Sequence, residues 1–172
     1  MALQINKVYD CNVYVNDTSR HGTASEVTCP EVNYTMNDYN ALGMIGTAKF
    51  FNGIEGMEST IKWTYPDNEC LQAFANPLKA IEVMVRSNKA VYDNQENTDN
   101  QAVVILMRGF PTKHQGGTFA PKADVEVEST LAVNYYKLEV DGVEILEIDT
   151  IANIFKIDGN DIWSEVRNNL GL

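Results

Sequence analysis

The chain has 172 residues and a net charge of −11, from 24 acidic and 13 basic residues. Its length predicts a single domain, residues 1–172, that can bury a core without metals or disulfides. With 44% hydrophobic and 22% charged residues, the composition excludes a disordered tail, and the acidic excess argues against surfaces that bind nucleic acid or anionic membranes.

The cysteines indicate reduced thiols. There are three of them, an odd number without C-x-x-C spacing, which argues against a disulfide scaffold or a zinc site. We therefore expect neither a metal nor a cofactor. The sequence opens without a basic region and apolar run, and it lacks a stretch of roughly 18 apolar residues, so we expect no signal peptide and no membrane span.

Strands dominate the predicted secondary structure. Alternating apolar and polar residues predict half-buried strands at 9–15, 60–65, 81–86 and 123–128. The continuous apolar run at 102–107 predicts a strand buried on both faces. Asp141-Gly142 predicts a tight hairpin turn, because both residues tolerate positive φ. The fold class is therefore mainly β, a sandwich or barrel with two helices.

The first predicted helix follows Asp67, a good N-cap residue, with apolar residues such as Phe74 at helical spacing until Pro77. The second is a C-terminal helix at residues 161–170, with Asp161 as its N-cap. Its apolar stripe is predicted to pack on the helix's own subunit and consists of Ile162, Val166 and Leu170.

Three stretches are predicted to be irregular, at residues 30–56, 92–101 and 110–121. The first is rich in Asn, Gly and Met and is long for a loop. Loops of that length usually have a function.

Motifs of catalytic chemistry are missing from the sequence, which argues against an enzyme. His21 and His114 lie in polar, turn-like sequence and are predicted to be surface residues. An acidic cluster of Glu144, Glu147 and Asp149 could in principle serve a glycosidase. In a chain this acidic, a solvated strand edge is the favoured interpretation.

Several segments resemble contractile-phage major tail tube proteins. Three lie near the C-terminus, YYKLEVDG at 135–142, EIDTI at 147–151 and VRNNLGL at 166–172. Two lie upstream, YNALGMIG at 39–46 and MRG at 107–109. The segments follow the family's order and cover most of the chain. The chain departs from the family at 28–31, where it has TCPE instead of the frequent T-L-P-K-L.

The resemblance implies a β-sandwich tail tube fold with a flanking α-helix and a short C-terminal helix. Hexameric rings would stack into a tube, and their inner strands would close into a ring-wide barrel through which DNA passes without sequence-specific binding. The implied partners are further copies of the chain, the sheath, baseplate and tail terminator proteins, and the tape measure protein inside the lumen. The protein would be assembled in the bacterial cytoplasm and reside in the virion.

Two sets of residues are candidates for functional surfaces of the tube, one facing the lumen and one between stacked rings. An acidic row of Asp124, Glu126 and Glu128 could face the lumen, where it would avoid adhesion to DNA. The same alternation fits equally well if the acidic row lies on the outer wall of the tube, where it would face solvent or the sheath. In the family, the loop corresponding to 30–56 helps rings to stack, and the candidates there are Tyr39, Gly43, Met44 and Gly46.

The C-terminal helix offers a third surface, with Trp163 and Arg167 as candidates for contact with the sheath or a neighbouring ring.

Three other functions compete with the phage tube. A tailocin or type VI secretion tube would share the fold and the ring but would pass no DNA. A carbohydrate-binding β-sandwich would expose aromatic residues on one loop face, for which the candidates are Tyr34, Tyr39, Phe50 and Phe51. An acid-catalysed hydrolase would require two convergent carboxylates in a cleft.

Overall fold

The computed structural model describes residues 4–93, 96–121 and 125–172, and its architecture is mainly β. The strands are β1 (Gln4–Val15), β2 (Thr18–Ser19), β3 (Ala24–Thr28), β4 (Tyr34–Tyr39), β5 (Ala48–Ile54), β6 (Met57–Trp63), β7 (Ile81–Asp93), β8 (Glu96–His114), β9 (Val127–Val140), β10 (Val143–Asp149), β11 (Ile154–Ile157) and β12 (Asn160–Asp161). The helices are α1 (Asn68–Ala75) and α2 (Ser164–Asn169).

Strand β9 is the centre of the main sheet, whose order is β12-β11-β10-β9-β8-β7-β1-β2. One side of β9 pairs with β8. On its other side, the first half pairs with β6, from Val127 to Val133, and the second half pairs with β10. Strand β3 continues the β6 branch, whereas β4 and β5 form a separate two-stranded sheet. Because β9 belongs to both branches, the core between them is continuous.

The core is built from the alternating faces of these strands. Along β6 every second residue is buried, and on β7 the buried side chains include Ile81 and Val83. Helix α1 covers one end, where Phe74 packs edge-on against Trp63 with ring centroids 5.9 Å apart. The buried Arg20 forms ion pairs with Asp67 and with Glu69 at the start of this helix.

Gly109 allows β8 and β9 to approach closely at an irregular point in their pairing, between Arg108 and Gly109. A Cβ atom at this position would lie 2.7 Å from the carbonyl carbon of Ala132 and closer still to its oxygen. No side chain larger than hydrogen fits there without moving the backbone. The glycine of the MRG segment is therefore a steric requirement of the sheet.

Local signals in the sequence predicted several elements correctly. The side chain of Asp67 caps α1 by accepting a hydrogen bond from the Cys70 amide at 2.8 Å. Asp141 and Gly142 have φ values of 53° and 76° and connect β9 to β10. Both predicted surface histidines are exposed.

The predicted loop at residues 30–56 is wrong, because β4 and β5 form a β-hairpin there. The prediction of irregular structure at 92–101 is also wrong for its described residues. Strands β7 and β8 continue through it, and asparagine side chains bond across the strands, as between Asn88 and Asn100 at 3.1 Å. The run at 102–107 is half-buried rather than buried on both faces, with Met107 alone fully buried.

The C-terminal helix is shorter than the predicted 161–170, since α2 comprises Ser164–Asn169. Asp161 does accept a hydrogen bond from the Trp163 amide at 3.0 Å, but it belongs to β12, and the N-cap residue is Trp163. The predicted packing of the apolar stripe is wrong. Ile162, Val166 and Leu170 are exposed, because the face with Trp163 and Arg167 is turned inward instead.

Candidate functional site

The β4–β5 hairpin is fastened to the body of the protein by an aromatic cluster, defined as Tyr34, Phe51, Phe155 and Trp163. The Phe51 ring lies edge-on to Trp163 at 5.7 Å, and Tyr34 stacks on Phe155 at 6.3 Å. A cavity of about 230 Å³ adjoins this cluster. Side-chain packing at its base thus holds the hairpin against the body of the protein. The far end of the hairpin is not part of this aromatic cluster.

The far end, residues 40–47, is an exposed apolar tip. Leu42 and Ile45 are fully exposed, and Met44 is exposed between them. Gly43 has a φ of +87°, a backbone conformation that favours glycine. Apolar side chains presented to solvent in this way form an exposed hydrophobic patch, which is a common feature of protein–protein contact surfaces.

The structure brings the predicted stacking residues together at this end of the hairpin. Tyr39 is exposed and lies edge-on to Phe50 at 6.1 Å, next to the tip. A Cβ on Gly46 would meet nothing within 4 Å, so this glycine makes no close approach within its own subunit. Sequence reasoning missed Leu42 and Ile45, although large apolar residues in a Gly- and Asn-rich stretch were a usable signal.

Only part of the predicted acidic row can be placed, since Asp124 lies outside the described residues. Glu126 is exposed, and it bridges to Thr118 ahead of β9. Glu128 binds Lys113 at 2.5 Å, and this hydrogen bond lowers the pKa of its carboxyl. Glu126 and Glu128 also line a polar cleft that contains Lys62. The negative charge of the described part of the row is therefore partly compensated.

Trp163 and Arg167 bind their own subunit. Trp163 belongs to the aromatic cluster, while Arg167 donates to the Asn153 carbonyl at 3.0 Å and to Asp161 at 2.7 Å. Both side chains are half-buried. Ile162, Val166 and Leu170, in and beside α2, are the large apolar side chains exposed there.

The acidic cluster of β10 has structural partners. Glu147 accepts hydrogen bonds from Tyr135 at 2.8 Å and Lys156 at 2.5 Å. Burial favours its protonated form, but these hydrogen bonds outweigh burial and lower the pKa of Glu147. Burial and the bond to Glu147 raise the pKa of Tyr135 to about 12. Asp149 caps the following turn by accepting from the Ile151 and Ala152 amides.

Among residues 4–93, 96–121 and 125–172, His, Cys, Asp and Glu form no group of three or more that could hold a metal ion. Neither described helix has the length and apolar character to cross a bilayer.

Solved structures share this fold. The PVC sheath/tube terminator of an extracellular contractile injection system aligns with a TM-score of 0.59 at 15% identity, over 77% of this chain and 95% of its own. The PVC sheath-tube complex gives a TM-score of 0.58 at 16% identity, over 77% and 90%. The tube terminating cap of the anti-feeding prophage gives 0.58 at 14%, over 76% and 88%.

Relatives at the sequence level point to one family. The tail tube protein of Escherichia phage P2 is 28% identical over 165 residues, which is 94% of both chains. The major tail tube protein of Serratia phage KSP20 is 26% identical over 155 residues, 89% of this chain and 88% of its own. The family model of phage tail tube protein FII matches residues 5–171. Because this match spans nearly the whole chain, the protein belongs to the phage tail tube protein FII family and is a structural subunit of the contractile phage tail tube, a component of the virion.

Proposed function

We propose that the protein forms hexameric rings that stack into a tube, that the tube is the channel for DNA during ejection, and that the hairpin tip joins successive rings. The observation that carries the stacking role is the exposure of Leu42, Met44 and Ile45 at the end of a projecting hairpin. A two-stranded hairpin is marginally stable by itself, so its tip gains order from a covering partner.

Covering the tip would contribute substantial free energy to the association of two rings. Burying a fully exposed Leu or Ile side chain stabilises a complex by about 1.5–3 kcal/mol. Leu42 and Ile45 each offer nearly the whole of this contribution, and Met44 adds an adaptable side chain that fits irregular surfaces. Each contact recurs in every copy of a ring, so modest energies per tip sum to a stable stack.

Acidic substitutions at the tip test this role. Met44→Asp and Ile45→Asp should leave folded, soluble subunits that fail to polymerise, because a carboxylate would be buried at the ring junction. Electron microscopy and light scattering at high concentration would measure tube formation by these variants and by the unmodified protein.

The matched control is Leu78→Asp, since Leu78 is also an almost fully exposed leucine but follows α1, away from the hairpin. It should polymerise normally. Normal tubes from Ile45→Asp would contradict the stacking role of the tip.

The inner wall of the tube is proposed to include the acidic row of Asp124, Glu126 and Glu128. The support is the exposure of Glu126 and the net charge of −11, both of which disfavour adhesion to DNA. A density map of the assembled tube should place Glu126 and Glu128 on the lumen side. Their appearance on the outer wall would contradict this assignment.

The proposed partners are the sheath, baseplate and tail terminator proteins, with the tape measure protein in the lumen before DNA enters. Two structures that share the fold support the sheath and tail terminator proteins as partners, since they are a sheath-tube complex and a sheath/tube terminator. We also propose that the subunit acts without catalysis. The structural roles of Glu147 and Asp149 support this, because each carboxylate is engaged within its own subunit.

A further inference from the structure

The β4–β5 hairpin contains an Asn-Gly pair, Asn52-Gly53, and no other asparagine in the sequence precedes a glycine. The backbone nitrogen of the residue after an asparagine can attack the side-chain carbonyl carbon of the asparagine, Cγ, and close a five-membered ring. Glycine hinders this attack least, because it has no Cβ and its backbone is permissive. Attack within one chain needs only the right backbone rotation, so the local conformation determines its rate.

Strand pairing is interrupted at Asn52. Thr35 lies opposite Gly53, but the next residue, Met36, lies opposite Phe51. Asn52 is therefore the extra residue of a β-bulge, and such a residue is left unpaired while the ladder around it is disrupted. A regular ladder would hold the backbone extended and keep Cγ away from the next nitrogen. The hairpin is also a separate two-stranded sheet, a type of structure that is only marginally stable, so the backbone at the bulge can rotate.

A hydrogen bond polarises the side chain that would be attacked. The Nδ2 atom of Asn37, on β4, donates to the Oδ1 atom of Asn52 at 2.9 Å. When a nucleophile adds to Cγ, negative charge develops on Oδ1, and a donor already positioned at this oxygen stabilises the intermediate. Both asparagines are exposed, so water can reach the reacting atoms. The hairpin thus combines an unhindered nucleophile, an unpaired backbone and a polarised carbonyl.

We propose that Asn52 is a site of spontaneous deamidation. The Gly53 nitrogen gives its proton to solvent and bonds to Cγ of Asn52, and the Cγ–Nδ2 bond then breaks. The departing nitrogen takes a proton from solvent and leaves as ammonia. Water opens the resulting succinimide ring at either of its carbonyls, which yields aspartate or isoaspartate. This inference does not depend on the ring assembly or on the stacking proposed above.

Either product changes the hairpin beside its anchor. A carboxylate adds one negative charge next to Phe51, whose ring contacts Trp163 in the aromatic cluster. In isoaspartate the main chain passes through the former side chain, so β5 gains one backbone atom between Asn52 and Gly53. That extra atom shifts the residues before the bulge relative to β4, and with them the exposed tip. Deamidation therefore alters the tip without changing any residue in it.

Peptide mapping measures the reaction at this one residue. Trypsin, which cleaves after lysine and arginine, releases residues 50–62 as one peptide, and Asn52 is its only asparagine. It releases residues 21–49 as another peptide, which contains three asparagines including Asn37 and serves as the internal control. After incubation of the folded protein in mildly alkaline buffer, mass spectrometry should show deamidation of the 50–62 peptide at least about tenfold faster than of the control peptide.

Two variants test the structural contributions. Gly53→Ala places a Cβ 3.3 Å from the Thr35 hydroxyl oxygen, a contact that a small movement relieves, and should slow deamidation about tenfold by hindering the nitrogen. Asn37→Ala leaves Oδ1 of Asn52 without this donor and should slow deamidation about two- to tenfold, the effect of losing one neutral hydrogen bond. Circular dichroism verifies folding. Equal rates in the two peptides of the unmodified protein, or variants that react as fast as that protein, would overturn the assignment.

Discussion

Replacing Gly109 with alanine should destabilise the protein by more than about 4 kcal/mol, enough to leave much of it unfolded. The added Cβ would overlap the backbone of Ala132, which is part of the central strand β9 and has no freedom to rotate away. Relief of the clash requires β8 and β9 to separate, and their ladder hydrogen bonds break at that point. Urea denaturation followed by circular dichroism would measure the loss.

Gly116→Ala is the matched control for this substitution. Gly116 follows the end of β8, is exposed and has nothing within 4 Å of a built Cβ, so alanine should change stability by less than about 0.5 kcal/mol. A Gly109→Ala variant with unaltered denaturation would show that the two strands do not approach as closely as described.

Truncating Trp63 to alanine should cost about 3–5 kcal/mol of unfolding free energy. Trp63 is 1% exposed, packs on Phe74 and donates from its indole nitrogen to the buried Ser129 hydroxyl at 3.2 Å. Removing the Trp63 ring leaves a cavity beneath α1 and leaves the Ser129 hydroxyl without its hydrogen-bond donor. Chemical denaturation monitored by far-ultraviolet circular dichroism would measure the change.

Tyr65 provides the comparison, because it is an aromatic residue two positions later that is 76% exposed. Tyr65→Ala should change stability by no more than about 0.5 kcal/mol. Equal losses at the two positions would contradict the placement of Trp63 at the centre of the core.

The elements that sequence predicted correctly are those determined by neighbouring residues. Alternation along β6 and β7 reports which side chains face the core, and Asp67 and Asp141-Gly142 act through their own backbone geometry. Such features require no knowledge of what lies across the sheet.

The errors concern residues whose structure is set by distant partners. The hairpin at 30–56 appeared irregular because most residues of β4 and β5 are exposed, so no alternation of buried and exposed positions marks these strands. The orientation of α2 depends on Trp163 meeting Phe51, which lies far away in sequence. The close approach at Gly109 is equally invisible from sequence, although the tripeptide that contains it was recognised.

Among the predicted site residues, the four stacking candidates are indeed gathered at one end of the hairpin. Their role in stacking stays a prediction, as does the lumen position of Glu126 and Glu128.

Because β9 lies at the centre of the main sheet, the sheet cannot be completed during synthesis until β9 has been translated. Strand β6 leaves the ribosome early, but its neighbour lies far along the chain, as shown by the hydrogen bond between Trp63 and Ser129, 66 residues apart. Until residues 127–140 have been translated, β6 and β8 lack the strand that lies between them. The incomplete chain therefore carries unpaired edges for most of its synthesis, a state that favours aggregation at high expression. Every copy of this structural protein must pass through this state during its synthesis.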